Sequence, residues 1–89
     1  MPKVVFTANI QRLVLCPDTE AAGHDVRGIL DNVFRENPQA RGYILDDQAA
    51  LRKHVAIFVD RVLVRDRIKL TDPVPENGTV HVMQALSGG

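Results

Sequence analysis

The stretch "DVRGILDNVFRENP" constrains the fold more than any other part of this 89-residue chain. Its large apolar residues recur with the period of an α-helix and form one stripe, at Val26, Ile29, Leu30, Val33 and Phe34. Asp25 is suited to cap the first turn, and Asn37-Pro38 ends the helix because proline pushes the preceding residue out of the helical region. One apolar stripe needs one covering layer, so we predict that this helix packs on a sheet.

The other apolar segments are short and predict strands before and after the helix. The predicted strands are "KVVFT" (3–7), "YIL" (43–45), "VAIFV" (55–59), "VLV" (62–64) and "VHVMQA" (80–85). "TEAA" can return beside the first strand, whereas the pattern of "RLVLC" leaves its structure open. This order indicates an α+β fold, a mixed sheet with one main helix packed on one face. A first and a last strand lying side by side and parallel would give the β-grasp arrangement.

Size and composition limit the classes of function. A chain of 89 residues forms one domain, and 45% apolar with 25% charged residues is ordinary for a soluble globular protein. Eleven basic and eleven acidic side chains cancel, so we expect no nucleic-acid partner and no attraction to a membrane. No apolar run approaches the roughly 20 residues of a membrane span. Without a secretory signal or a disulfide framework, the cytoplasm is the expected compartment.

The cysteine and the histidines predict no metal site. Cys16 is the single cysteine, so it has no partner for an internal disulfide, and one thiol cannot assemble a zinc or iron–sulfur site. His24, His54 and His81 are scattered, and none has metal-ligand spacing to another histidine or to the cysteine. We found no residues with the pattern of a catalytic site.

The last residues, "ALSGG", follow an apolar strand directly. We predict a domain over residues 1–84 and a flexible tail over residues 85–89. An extended tail of five residues reaches on the order of 16 Å, far enough to carry a terminal carboxylate into a partner's active site. Glycine suits a narrow channel because it lacks a Cβ. The alternative is a frayed end without a role.

With this tail, the sequence resembles the small sulfur-carrier proteins of the ubiquitin-like β-grasp superfamily. The resemblance rests on "GHDVRGILDNVF", "VAIFVDRVLVRD" and above all "LTDPVPENGTVHVMQALSGG", and it covers essentially the whole chain. It departs from molybdopterin-synthase small subunits at Gln84-Ala85-Leu86-Ser87, which lacks their common prolines. The pathway that receives the sulfur therefore stays open.

The resemblance implies that Gly89 is the reacting residue. In this family a ubiquitin-activating-type adenylyltransferase uses ATP to adenylate the terminal glycine carboxylate, which is then converted to a thiocarboxylate. Gly88, Ser87 and Leu86 would occupy the partner's channel. The resemblance implies a protein co-substrate rather than an enzyme, with no bound cofactor. Its partners would be the activating enzyme, a sulfur donor system and a sulfur-accepting biosynthetic enzyme.

Two surface features have an open interpretation. His81 and Met83 should alternate with Val80 and Val82 and face away from the helix, where Phe58 can join them in a docking surface. The alternative is that loops such as "YILDDQAA" cover this face. The basic clusters "LRKH" (51–54) and "DRVLVRDR" (60–67) are either solvated strand edges or a site for phosphate or an acidic partner.

Three other functions remain compatible with the sequence. The chain can be the small subunit of a molybdopterin-synthase-like complex, whose larger partner supplies the catalytic residues. It can be a ubiquitin-like modifier that is joined to lysines of other proteins. It can also be a β-grasp interaction module with an inert tail.

Overall fold

A computed structural model describes residues 1–7, 10 and 18–84 of the chain. In chain order, the elements of this part are strands β1 (Lys3–Phe6) and β2 (Thr19–Glu20), helices α1 (Val26–Glu36) and α2 (Pro38–Ile44), and strands β3 (Val55–Val59), β4 (Val62–Leu63) and β5 (Thr79–Gln84). The segment "RLVLC", with Cys16, lies outside the described residues, as does the tail from Ala85 to Gly89.

The described strands form one mixed sheet in the order β2-β1-β5-β3-β4. β1 and β5, the first and last strands, lie side by side and parallel, with Lys3 opposite Thr79 and Phe6 opposite Val82. The other neighbours are antiparallel, and β2 returns beside β1 as predicted. This pairing confirms the β-grasp prediction.

Helix α1 begins and ends where the sequence predicts. The Asp25 carboxylate accepts a hydrogen bond from the Gly28 backbone N–H (2.8 Å), which satisfies one of the free donors of the first turn. Asn37 ends the helix, and its backbone N–H donates to the Val33 carbonyl (3.0 Å). All five residues of the predicted apolar stripe are buried.

The predicted strand at Tyr43–Leu45 is wrong. Tyr43 and Ile44 are the last residues of α2, and Leu45 forms only an isolated bridge with Leu51. Pro38 occupies the first turn of α2, where its missing N–H costs nothing, so the proline that ends α1 also starts a second helix. Ala40 and Ile44 are four residues apart and both buried, the spacing of one helical face. The main helix is therefore joined by a second, short one.

The core contains the apolar stripe of α1 and the inward side chains of the sheet. Val55, Ile57 and Val59 of β3 are buried, whereas Ala56 and Phe58 between them are half-buried. β5 alternates in the same way, with Val80 and Val82 buried. The apolar run of β3 therefore has one side in the core and an apolar outer side. Within the described ranges, no helix has the length and apolar content needed to cross a bilayer.

Candidate docking face and tail root

The outer face of the sheet carries a row of four side chains, one from each of four neighbouring strands. Val5 of β1 pairs with His81 of β5, His81 pairs with Phe58 of β3, and Phe58 pairs with Leu63 of β4. Directly opposed residues share a face of the sheet, so these four side chains lie together. We call this row, with the neighbouring Met83, the outer-face row. Met83 pairs with Ala56 one step along the strands.

The outer-face row is apolar apart from His81 and is open to solvent. Leu63 is 51% exposed, and the other four side chains are half-buried. A shallow depression of about 330 Å³ is lined by Phe58, Asp60, Arg61, His81 and Met83. The prediction that His81 and Met83 face away from α1, together with Phe58, is confirmed. Their role in docking stays a prediction.

The segment "YILDDQAA" does not cover the outer-face row. The Arg27 guanidinium on α1 donates to the Ala49 carbonyl (2.6 Å), so this segment lies on the helix side of the sheet. The Asp46 carboxylate accepts from the backbone N–H groups of Gln48 (2.9 Å) and Ala50 (3.0 Å), and closes the loop on itself. The alternative in which this loop hides the face is wrong.

The β3–β4 turn is fixed to β5. Asp60 has a positive φ of 56°, and its carboxylate accepts from the Thr79 N–H (2.9 Å). Its own N–H donates to the Thr79 carbonyl (2.8 Å). This pair of bonds holds the turn beside the first residue of β5, and it places Arg61 at the edge of the depression. The turn therefore places one acidic and one basic side chain, Asp60 and Arg61, next to the apolar row.

The sequence did not assign three residues of this surface to the site: Val5, Leu63 and Arg61. Val5 alternates with the apolar Val4 and Phe6 in one uniform run, so nothing in the local pattern separates its outward side from theirs. The strand register alone puts Val5 beside His81 and Leu63 beside Phe58. The signal was therefore absent from the local sequence.

The tail leaves the domain beside the start of β3. Gln84, the last described residue of β5, pairs with Val55, the first residue of β3. The predicted reacting residue Gly89 and the predicted channel residues Leu86, Ser87 and Gly88 lie outside the described residues. Their roles therefore stay predictions, but the position of the tail's root is known.

The basic cluster 60–67 contains a structural carboxylate. Asp66 accepts hydrogen bonds from the Thr71 hydroxyl (2.7 Å) and from the backbone N–H groups of Lys69 (2.9 Å) and Ile68 (3.1 Å). These bonds favour the charged form, and they lower the pKa of the Asp66 carboxyl from 3.8 to about 2, the Thr71 hydroxyl contributing most. Asp66 therefore organises the loop that follows β4.

No metal site is visible in the part of the chain that the structure describes. Within residues 1–7, 10 and 18–84, no three histidine, cysteine, aspartate or glutamate side chains are grouped so that they could hold a metal ion.

Comparison with known proteins identifies the fold. No sequence profile of a protein family and no curated protein matches the chain. A chain of the BexX/CysO complex from Amycolatopsis orientalis has a TM-score of 0.82 at 19% identity, covering 100% of both chains. CysO from Mycobacterium tuberculosis has a TM-score of 0.80 at 15% identity, covering 97% of this chain and 100% of its own. SAMP1 from Haloferax volcanii has a TM-score of 0.75 at 15% identity, covering 98% and 97%.

At these identities the likeness concerns the three-dimensional arrangement. It extends over almost the full length of each compared chain, and it agrees with the parallel pairing of β1 with β5. The chain therefore has the ubiquitin-like β-grasp fold.

Proposed function

We propose that this protein is a sulfur carrier whose Gly89 carboxylate is adenylated by a ubiquitin-activating-type enzyme and converted to a thiocarboxylate. The observation that carries the proposal is the course of β5. This strand lies in the middle of a β-grasp sheet and leads at Gln84 into five residues that end in Gly88-Gly89. The match in fold to CysO and SAMP1 supports a ubiquitin-like carrier or modifier.

The reaction needs an activated carboxylate. A carboxylate oxygen of Gly89 attacks the α-phosphorus of ATP, which forms the acyl-adenylate and releases pyrophosphate. A sulfide-equivalent nucleophile from the sulfur donor system then attacks the acyl carbon. AMP leaves, and a C–S bond replaces the C–O bond. The thiocarboxylate sulfur is anionic near neutral pH and is available to the accepting enzyme.

In this proposal the carrier contributes recognition, and the activating enzyme contributes the catalytic residues. The outer-face row is the docking surface. It offers the apolar side chains of Phe58 on β3 and Met83 on β5, and His81 of β5 lies beside both. Leu86, just beyond the last described residue, is a further contact. One of the neighbours in fold was crystallised within a BexX/CysO complex, which supports a partner-bound role.

A mass measurement tests the proposal. The chain is incubated with ATP, a sulfur source and an activating enzyme from the same organism. We expect a gain equal to the exchange of one oxygen for one sulfur, localised to Gly89. A chain without Gly89 is the control and gains nothing. An unchanged mass with several such activating enzymes would contradict the carrier function.

A second candidate is a ubiquitin-like modifier. It is favoured by the similarity in fold to SAMP1, since SAMP1 of Methanosarcina acetivorans is described as a small archaeal modifier protein. In that case the activated Gly89 would form amide bonds with lysines of other proteins. Ladders of conjugates recognised by an antibody to this chain would favour the modifier, and their absence alongside a thiocarboxylate would favour the carrier.

A further inference from the structure

We infer that Arg52, Lys53 and Arg67 form a positively charged face at the root of the tail that binds an acidic surface on the activating enzyme. We call these three residues the tail-root face. The inference rests on the proposed function, because it names the partner that takes up the tail. It concerns a surface distinct from the outer-face row.

Strand pairing places the tail-root face where the tail leaves the domain. Gln84 pairs with Val55, so the last described residue of β5 lies beside the first residue of β3. Lys53 and Arg52 directly precede that strand. At about 3.3 Å per residue, both lie within about 10 Å of Val55 along the backbone. Any enzyme that draws Gly89 into its active site brings its surface against this region.

Arg67 joins the second basic cluster to the first. Its Nη2 donates to the carbonyl oxygens of Arg52 (2.8 Å) and Val55 (2.9 Å). The Arg67 carbonyl in turn accepts from the Leu51 N–H (2.8 Å). The clusters 51–54 and 60–67, separate in the sequence, therefore meet at the start of β3.

Arg52 is held in the same region by α2. Its Nε donates to the Gly42 carbonyl (2.8 Å), and its backbone N–H donates to the Ile44 carbonyl (3.0 Å). The guanidinium groups of Arg52 and Arg67 are therefore each held by hydrogen bonds to backbone carbonyl oxygens. A charge held in place in this way loses less conformational entropy when it binds a partner than a freely rotating side chain does.

None of the three cations of this face forms an ion pair with another residue that the structure describes. The partners of Arg52 and Arg67 are neutral carbonyl oxygens, and the exposed Lys53 has no hydrogen-bond or ionic partner among the residues that the structure describes. The neighbouring carboxylates of Asp46 and Asp66 keep their negative charge, but they accept hydrogen bonds from backbone N–H groups of their own loops and form no ion pair with this face.

Three cations without ion-pair partners among the described residues, placed around the root of a threaded tail, fit an acidic rim around the channel that receives it. Complementary charge of this kind steers the approach of two proteins and orients them before the contacts form. Its effect falls with ionic strength. The prediction is therefore a salt-sensitive contribution to the encounter, with little effect on the adenylation step itself.

The test compares two lysines that are alike except in position. Lys53→Glu reverses a charge on the tail-root face. Lys3→Glu makes the same change at an exposed lysine opposite Thr79, at the other end of β5 from Gln84. The two ends of this strand are about 16 Å apart. Lys53→Arg keeps the charge. Thermal unfolding checks that all three variants are folded.

The readouts are ATP–pyrophosphate exchange by the activating enzyme and binding of the chain to that enzyme without ATP. At low salt we expect Lys53→Glu to raise KM and Kd about fivefold with kcat nearly unchanged, as a rim charge does. Raising the salt concentration should shrink the difference. Lys53→Arg should resemble the wild type, and Lys3→Glu should change either constant less than twofold.

The outcomes separate this inference from the proposed function. Equal effects of Lys53→Glu and Lys3→Glu, or an effect that does not respond to salt, would overturn the inference and leave the carrier function standing. The wild-type chain could bind the activating enzyme without supporting ATP–pyrophosphate exchange, and Lys53→Glu could selectively weaken that binding. This result would support the tail-root face and contradict adenylation. Neither binding nor exchange with activating enzymes of this class would overturn both.

Discussion

His81 of β5 lies directly opposite Phe58 of β3 on the outer face of the sheet. Their strands are central neighbours, and the row continues to Val5 on one side and to Leu63 on the other. The opposite face of β1, β3 and β5 is buried in the core. An apolar surface on the open side of a small domain is suited to a protein partner.

Truncating Phe58 tests the outer-face row. We expect Phe58→Ala to weaken binding to the activating enzyme about tenfold, because an aromatic anchor at the centre of an interface carries a large share of the binding free energy. Val62→Ala is the matched control, since Val62 is exposed but pairs with the buried Val59 on the other side of the sheet. The measurement is the dissociation constant of the complex. Equal losses for the two variants would contradict a docking role of this row.

Acid should weaken the loop that Asp66 organises. Its pKa in the folded protein is about 2, below the ordinary value of 3.8, so its stabilising effect is complete above about pH 4 and is lost as the pH falls toward 2. Asp66→Asn should therefore lower the melting temperature at pH 7 and flatten its fall between pH 4 and 2. Asp47→Asn, an equal change of charge at an exposed loop position, is the control. Parallel melting curves for Asp66→Asn and the wild type across this range would contradict the role of Asp66.

Arg27 connects α1 to two loops. Its Nη2 donates to the carbonyls of Ala49 (2.6 Å) and Ile68 (3.1 Å), and its Nε donates to that of Lys69 (3.2 Å). We expect Arg27→Ala to lower the free energy of unfolding by about 1–3 kcal/mol, since hydrogen bonds from a charged donor are lost. Arg35→Ala, at an exposed position of the same helix, should cost less than about 0.5 kcal/mol. Urea denaturation measures both, and a cost for Arg27→Ala no larger than for Arg35→Ala would be the contrary result.

The cap of α1 can be tested in the same way. Asp25→Ala removes the acceptor of the Gly28 N–H, and we expect a loss of about 1 kcal/mol in the free energy of unfolding. Asp31→Ala, at an exposed position within α1, removes an equal charge without removing a cap. Chemical denaturation at neutral pH provides the comparison. If Asp31→Ala costs as much as Asp25→Ala, the loss reflects charge rather than capping.

The sequence by itself determined the elements whose cause is local. The stripe from Val26 to Phe34 has the period of a helix, Asp25 supplies a cap, and Asn37-Pro38 supplies a stop, so α1 follows from neighbouring residues. The alternation in β5 likewise predicted which side chains face the core. Short-range sterics and hydrogen bonding decide such features, and the sequence displays them directly.

The tertiary structure alone decided the rest. "YIL" is too short for periodicity to separate strand from helix, and it is helical because Ala40 and Ile44 bury one face together in the core. The outer-face row depends on the register of four strands, and the tail-root face depends on Arg67 reaching the carbonyls of Arg52 and Val55. These contacts join residues far apart in the chain, so no local pattern contains them.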